Sequence, residues 1–334
     1  MSDGQKNEAS RVIDNTFRCD LKEGKLKGLT NVVRDSKDLI LCFRGSYINV
    51  YYKGHNLLKI DKKQNGYNIS FNFNHAKFTS NWEDHLNGLS FKLNSTNKLN
   101  TTRINKNYPT NTLQLDGSNV HDVYFWKKTI ETLKLFIDDY FDQNKKYDYF
   151  MKEQTFCRNI IEKQRQQLIM QSNQNFSKGY YIYDMEYMQA RNSSKDDSSG
   201  RFDMIALRWE GKQVRVVFIE LKSTESACKD SKSGIAPHIE DLSKYIEKND
   251  CIRTRKIDAH KIIRLYEDMK LLNPDVLGCI DFSPESMVDS EVLFIFTDEA
   301  KDYYINNKDK YPKLYESPFS VALLSDDSWV IPNE

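Results

Sequence analysis

No excess of charge of either sign marks this sequence: 49 Lys and Arg face 48 Asp and Glu, a formal net charge of +1. A protein-wide basic field is therefore excluded, and any contact with nucleic acid must be a local patch. Cysteine pairs are missing too. The six cysteines (Cys19, Cys42, Cys157, Cys228, Cys251 and Cys279) are scattered without C-x-x-C spacing, which leaves a zinc ribbon unsupported. Several sit in apolar settings such as Leu41-Cys42-Phe43, as buried free thiols do. The longest clean apolar run, about Val292–Phe296, falls far short of the roughly 20 residues that span a bilayer. The opening MSDGQKNEAS is polar and lacks a signal-peptide core. The expectation is a reduced, cytoplasmic protein with no membrane contact.

What is present argues for packed structure. Hydrophobic residues make up 39% of the 334 and aromatic residues 12%, enough to exclude disorder. The length suits two domains or one large one. Residues 1–10 read as a loose tail. Leu39–Phe43, Tyr47–Tyr52, Leu57–Ile60 and Tyr67–Phe73 read as strands separated by Arg44-Gly45, Lys53-Gly54-His55-Asn56 and Asn65-Gly66, an antiparallel meander. Residues 90–120, rich in Asn, Thr, Ser and Lys, read as an irregular connection. Helix spacing follows over 121–142, with Val123, Trp126, Ile130, Leu133 and Ile137 on one stripe. His55, His75, His85 and His121 lack metal-ligand spacing. Lys53, Lys59, Lys62, Lys63 and Lys77 are either a solvated sheet face or phosphate contacts. Residues 1–148 thus form a strand-rich N-terminal domain suited to recognising a substrate or partner.

Residues 149–334 form the second domain. Helix spacing over 150–171 precedes a strand at Tyr180–Tyr187 and a polar loop, Gln189–Gly200. Two apolar runs, Phe202–Trp209 and Val214–Leu221, flank Gly211-Lys212, a two-residue hairpin loop in which Gly first suits a II′ turn. That loop fixes the register and sets Asp203 opposite Glu220, with Lys222 on the same face. Opposed carboxylates repel, and a divalent cation between them relieves the conflict. A neighbouring lysine can orient a water and meet charge developing on a phosphate. Without a cation, the same residues are two half-buried strands ending in solvated charges. A second polar loop, Ser223–Gly234, leads to helix spacing over about Pro237–Ile246 and Ile257–Leu272; Val292–Phe296 and Phe319–Leu324 read as buried strands.

An acid on one strand followed by acid-x-lysine on the next, here Asp203 and Glu220-Leu221-Lys222, resembles the PD-(D/E)XK nuclease superfamily. Phe202 stands where that pattern often has proline. The resemblance covers about residues 150–300 and implies an α/β fold of α+β type. Its C-terminal restriction-endonuclease-like αβββαβ core would carry a mixed central sheet. It implies a Mg²⁺-dependent endonuclease, with Mn²⁺ as substitute, hydrolysing phosphodiester bonds in DNA rather than RNA. Asp203 and Glu220 would be the metal ligands and Lys222 the third catalytic group, with a homodimer cutting both strands. Additional members of the site would be Glu186 at the end of the first strand and Glu153 or Glu162 on the first helix. His238, Asp241 and Tyr245 share a helix face. Some branches place a glutamine and a tyrosine there; here Asp241 is expected to fix His238 for a phosphate contact. Catalytically inactive nucleic-acid binding and a ligand-regulated RNase are the rival expectations. Strand-end placement implies that Glu220→Ala and Lys222→Ala leave the protein folded.

Overall fold

A computed structural model describes residues 11–36, 38–64, 66–76, 78–87, 110–114, 122–143, 155–164, 178–188, 201–272, 280–325 and 329–332. The chain is of mixed α and β structure with two five-stranded sheets. Among the described residues, 12–143 with 268–271 form one compact unit; 11, 155–267, 272 and 280–332 form the other. The expected boundary at 148 lies outside the described residues.

In the N-terminal unit, α1 (Asn15–Lys22) and α2 (Lys27–Asp35) precede the sheet. Strands β1 (Leu39–Phe43), β2 (Tyr47–Tyr52), β3 (His55–Lys63), β4 (Gly66–Asn72) and β5 (Thr110–Gln114) pair antiparallel in chain order. The meander is the expected one, with two corrections. Lys53 and Gly54 both take positive φ, 49° and 77°, so two residues suffice for the turn and β3 begins at His55. β5 falls within the stretch expected to be irregular. Lys53, Lys59 and Lys62 pair with Asp138, Asp61 and Asp14, as on a solvated, charge-balanced face. Between β4 and β5 lie two short helices, α3 (Phe73–Ala76) and α4 (Trp82–Asn87). Helix α5 (Val123–Gln143) buries Trp126, Ile130, Leu133 and Ile137 as expected, whereas Val123, in its first turn, is 43% exposed.

His55 and His75 meet edge to face, ring centroids 5.3 Å apart, among Tyr140 and Phe141. Burial, helped by the neighbouring His75, pushes the His55 imidazole down to about 3 from its ordinary 6.5. The unfolded chain then binds a proton below pH 6.5 that the folded one refuses until about pH 3. Stability held above pH 6.5 is therefore lost as pH falls, approaching about 1.4 kcal/mol per pH unit. Thermal melts between pH 7 and 5 should show a shallower decline in His55→Phe than in the wild type; equal slopes would refute this.

In the C-terminal unit, α6 (155–164) buries Phe156, Cys157, Ile160 and Ile161. Strands β6 (Lys178–Met188), β7 (Arg201–Glu210) and β8 (Gln213–Lys222) form an antiparallel meander. Lys178-Gly179, ahead of the strand expected to start at Tyr180, belongs to β6. Gly179 is needed there because a Cβ would lie 2.3 Å from the Trp209 indole. Helices α7 (Glu225–Lys229), α8 (Ile235–Ile246) and α9 (Asn249–Asp268) cross to β9 (Glu291–Phe296), which pairs parallel with β8. Helix α10 (Asp298–Asn307) leads to β10 (Phe319–Leu323), parallel to β9. The sheet order is β10-β9-β8-β7-β6, mixed in direction, and β9 is buried along its whole length, as a central parallel strand must be. Among the described residues no helix is long and apolar enough to cross a membrane.

Candidate active site at a strand fork

Gly211 opens the β7–β8 turn at φ 58° while Lys212 stays out of the left-handed region, the requirement of a II′ turn. The ladder runs from Glu210↔Gln213 to Met204↔Ile219, the register that the loop implies. It stops one step short of Asp203 and Glu220. There the strands fork. The Leu221 N–H, which faces β7, bonds instead to the Asp203 carboxylate, Oδ2 at 2.7 Å. Asp203 thus sits half-buried in the fork, against the backbone between Glu220 and Lys222.

Glu220 and Lys222 lie together: Lys222 Nζ donates to Glu220 Oε1 at 2.6 Å, with side chains 3% and 4% exposed. Strand ends suggest exposure, but this one is roofed. Lys222 also donates to the Ser233 carbonyl at 2.8 Å, and its Nζ is 3.2 Å from His238 Nδ1. The same Nδ1 lies against Glu220 Oε1. A carboxylate oxygen can only accept, so that contact assigns the ring proton to Nδ1. Burial alone would push the Glu220 carboxyl up. The Lys222 ammonium and the His238 ring together outweigh it, holding the carboxyl below its ordinary range and ionised.

The segment between Lys222 and α8 is shaped to make this roof. Thr224 caps α7 by accepting the Ala227 N–H at 3.2 Å. Asp230 accepts the N–H groups of Lys232 and Ser233, at 2.8 and 2.6 Å, turning the Ser233 carbonyl toward Lys222. Gly234 then starts α8 where a Cβ would come within 2.3 Å of the Asp230 carbonyl, so the chain can pass only without a side chain. Ser233 and the Leu221 N–H act through backbone groups, which no residue-type motif reports; Asp230 before Gly234 was the available signal.

The remaining expected site residues divide. His238 reaches the cluster. Asp241, three residues on and rotated about 60° around α8 by helical geometry, is exposed, so it does not orient His238; Glu220 does. Tyr245 is fully buried, its ring packed 5.0 Å from Phe202 and 5.5 Å from Phe218, a core position. Pairs Met185↔Met204 and Tyr187↔Phe202 set Glu186 level with Asp203 on the neighbouring strand; its side chain lies outside the described residues. Glu162 is half-buried on α6, and Glu153 lies outside the described residues. Cys228 is buried nearby, and burial pushes its thiol up to about 11, which makes it a poor nucleophile. Among the described residues no three His, Cys, Asp or Glu side chains form a ready metal cage. The chain matches no family model, no curated protein and no solved structure.

Proposed function

We propose that the chain is a metal-dependent nuclease whose C-terminal unit is a restriction-endonuclease-like core of PD-(D/E)XK type. One observation carries the reading: an ionised Glu220 and its Lys222 partner are held together beside the fork that Asp203 enters. The order helix, three antiparallel strands, helices and a parallel strand supports it. Two carboxylates are the donor chemistry that a hard ion such as Mg²⁺ takes, with waters and phosphate oxygens completing its shell. Asp203 and Glu220 would hold it, Mn²⁺ serving as substitute. When bound, the ion supplies a more acidic water and a counter-charge to the scissile phosphate.

The protein's own groups do the rest. Lys222 orients the attacking water and meets the charge that builds on phosphorus. The Ser233 carbonyl fixes the direction of its ammonium, and His238 holds Glu220 in place. Keeping Glu220 ionised keeps it a ligand rather than an acid. DNA is the proposed substrate, because most of the superfamily acts on it, and a homodimer would cut both strands.

Digests of duplex DNA, single-stranded DNA and RNA in Mg²⁺, with a chelator control, test the reading. Chelator-sensitive loss of DNA is the expected result. RNA-only cleavage would favour an RNase of the same fold, and binding without cleavage an inactive module. No interaction with any of them would end the proposal.

A further inference from the structure

A cleft of about 680 Å³ opens at the other end of the C-terminal sheet, where β9 and β10 begin. It is separate from the fork: Lys222 lies level with Phe296, at the far end of β9. Arg253 and Lys256, from the first turns of α9, line it together with Glu285 and Asp289. These four charges form no ion pair with one another, although opposite signs share one cleft; Lys256 Nζ donates to the Met287 carbonyl at 3.1 Å. Ser290, also on the lining, is 7% exposed, and its buried hydroxyl has no hydrogen-bond partner. A buried hydroxyl without a partner is costly, and charges of both signs that do not neutralise one another along one cleft suit a ligand that carries complementary groups. Ile257 and Pro284 supply apolar surface between them.

We infer that this cleft is a binding site for a guanine nucleotide. The volume falls within the range of small-molecule sites and exceeds what a free amino acid or a lone phosphate fills. Arg253 and Lys256 suit a phosphate. A guanine edge offers N1–H and N2–H₂ side by side, two donors that match a carboxylate of Glu285 or Asp289. Adenine presents an acceptor at N1, which a carboxylate repels. The ring lies against Ile257 and Pro284. The inference is independent of the nuclease reading, because it concerns other residues and needs no cleavage.

Calorimetric titration of the full chain with GMP, AMP and inorganic phosphate tests it, with melting curves to confirm folding. GMP should bind, and AMP and phosphate should bind at least about tenfold more weakly. Arg253→Gln and the paired variant Glu285→Gln/Asp289→Asn, all at exposed positions, should each weaken GMP about tenfold or more, as loss of one charge-assisted contact does. No binding of GMP, equal binding of AMP or phosphate, or GMP affinity unchanged in both variants would overturn the proposal.

Discussion

Lys222→Met should destabilise the protein by about 3–5 kcal/mol, because it leaves the buried Glu220 carboxylate without its principal counter-charge. Lys222 and Glu220 side chains are 4% and 3% exposed, so solvent cannot take over the role of either partner. Glu220→Gln should cost a comparable amount by stranding the ammonium. The double variant Glu220→Gln/Lys222→Met should recover much of the loss, since neither charge then remains buried alone. Urea unfolding of the four proteins measures this cycle. Single losses below about 1 kcal/mol, the range of exposed pairs, would show that the pair is solvated. The sign of the pH dependence follows from the lowered Glu220 carboxyl. Its contribution is present above the ordinary 4.5 and is lost as pH falls through the lower folded value. Loss of cutting in a Glu220 or Lys222 variant is therefore no proof of catalysis until folding has been verified.

Asp203→Asn separates chemistry from stability. Asp203 is half-buried, and an asparagine carbonyl can still accept the Leu221 N–H. Its fold should survive. Its cleavage rate in Mg²⁺ should fall about a thousandfold, roughly 4 kcal/mol of lost charge stabilisation. A rate within about threefold of wild type, in a protein of unchanged melting temperature, would remove Asp203 from the site.

The hairpin was legible because a two-residue loop with glycine first allows few alternatives, and one register then follows for every pair. The fork was not, because it depends on a side chain taking a backbone N–H from the ladder. Burial of Glu220 and Lys222 was equally hidden: it comes from Ser233 and His238, more than ten residues further along. Asp241 was misplaced because a three-residue step on a helix is a neighbour without being on the same line. The short helices escaped because each buries a single i,i+4 pair, too few apolar positions to stand out: Ala300 and Tyr304 in α10, Phe17 and Leu21 in α1. Strand β5, TNTLQ, has no alternating apolar pattern and exists through its pairing with β4. The antiparallel strands β1 to β4 were readable for the opposite reason, since apolar runs and turn residues coincide there.

The central claim is that Asp203 and Glu220 share one divalent ion at the fork. Calorimetric titration of Mn²⁺ into the wild type and Asp203→Asn addresses it without requiring any substrate. A saturable site in the wild type, weakened at least about tenfold in the variant while both melt alike, is the expected result. No Mn²⁺ binding by the wild type, or equal affinity in the two proteins, would contradict the account.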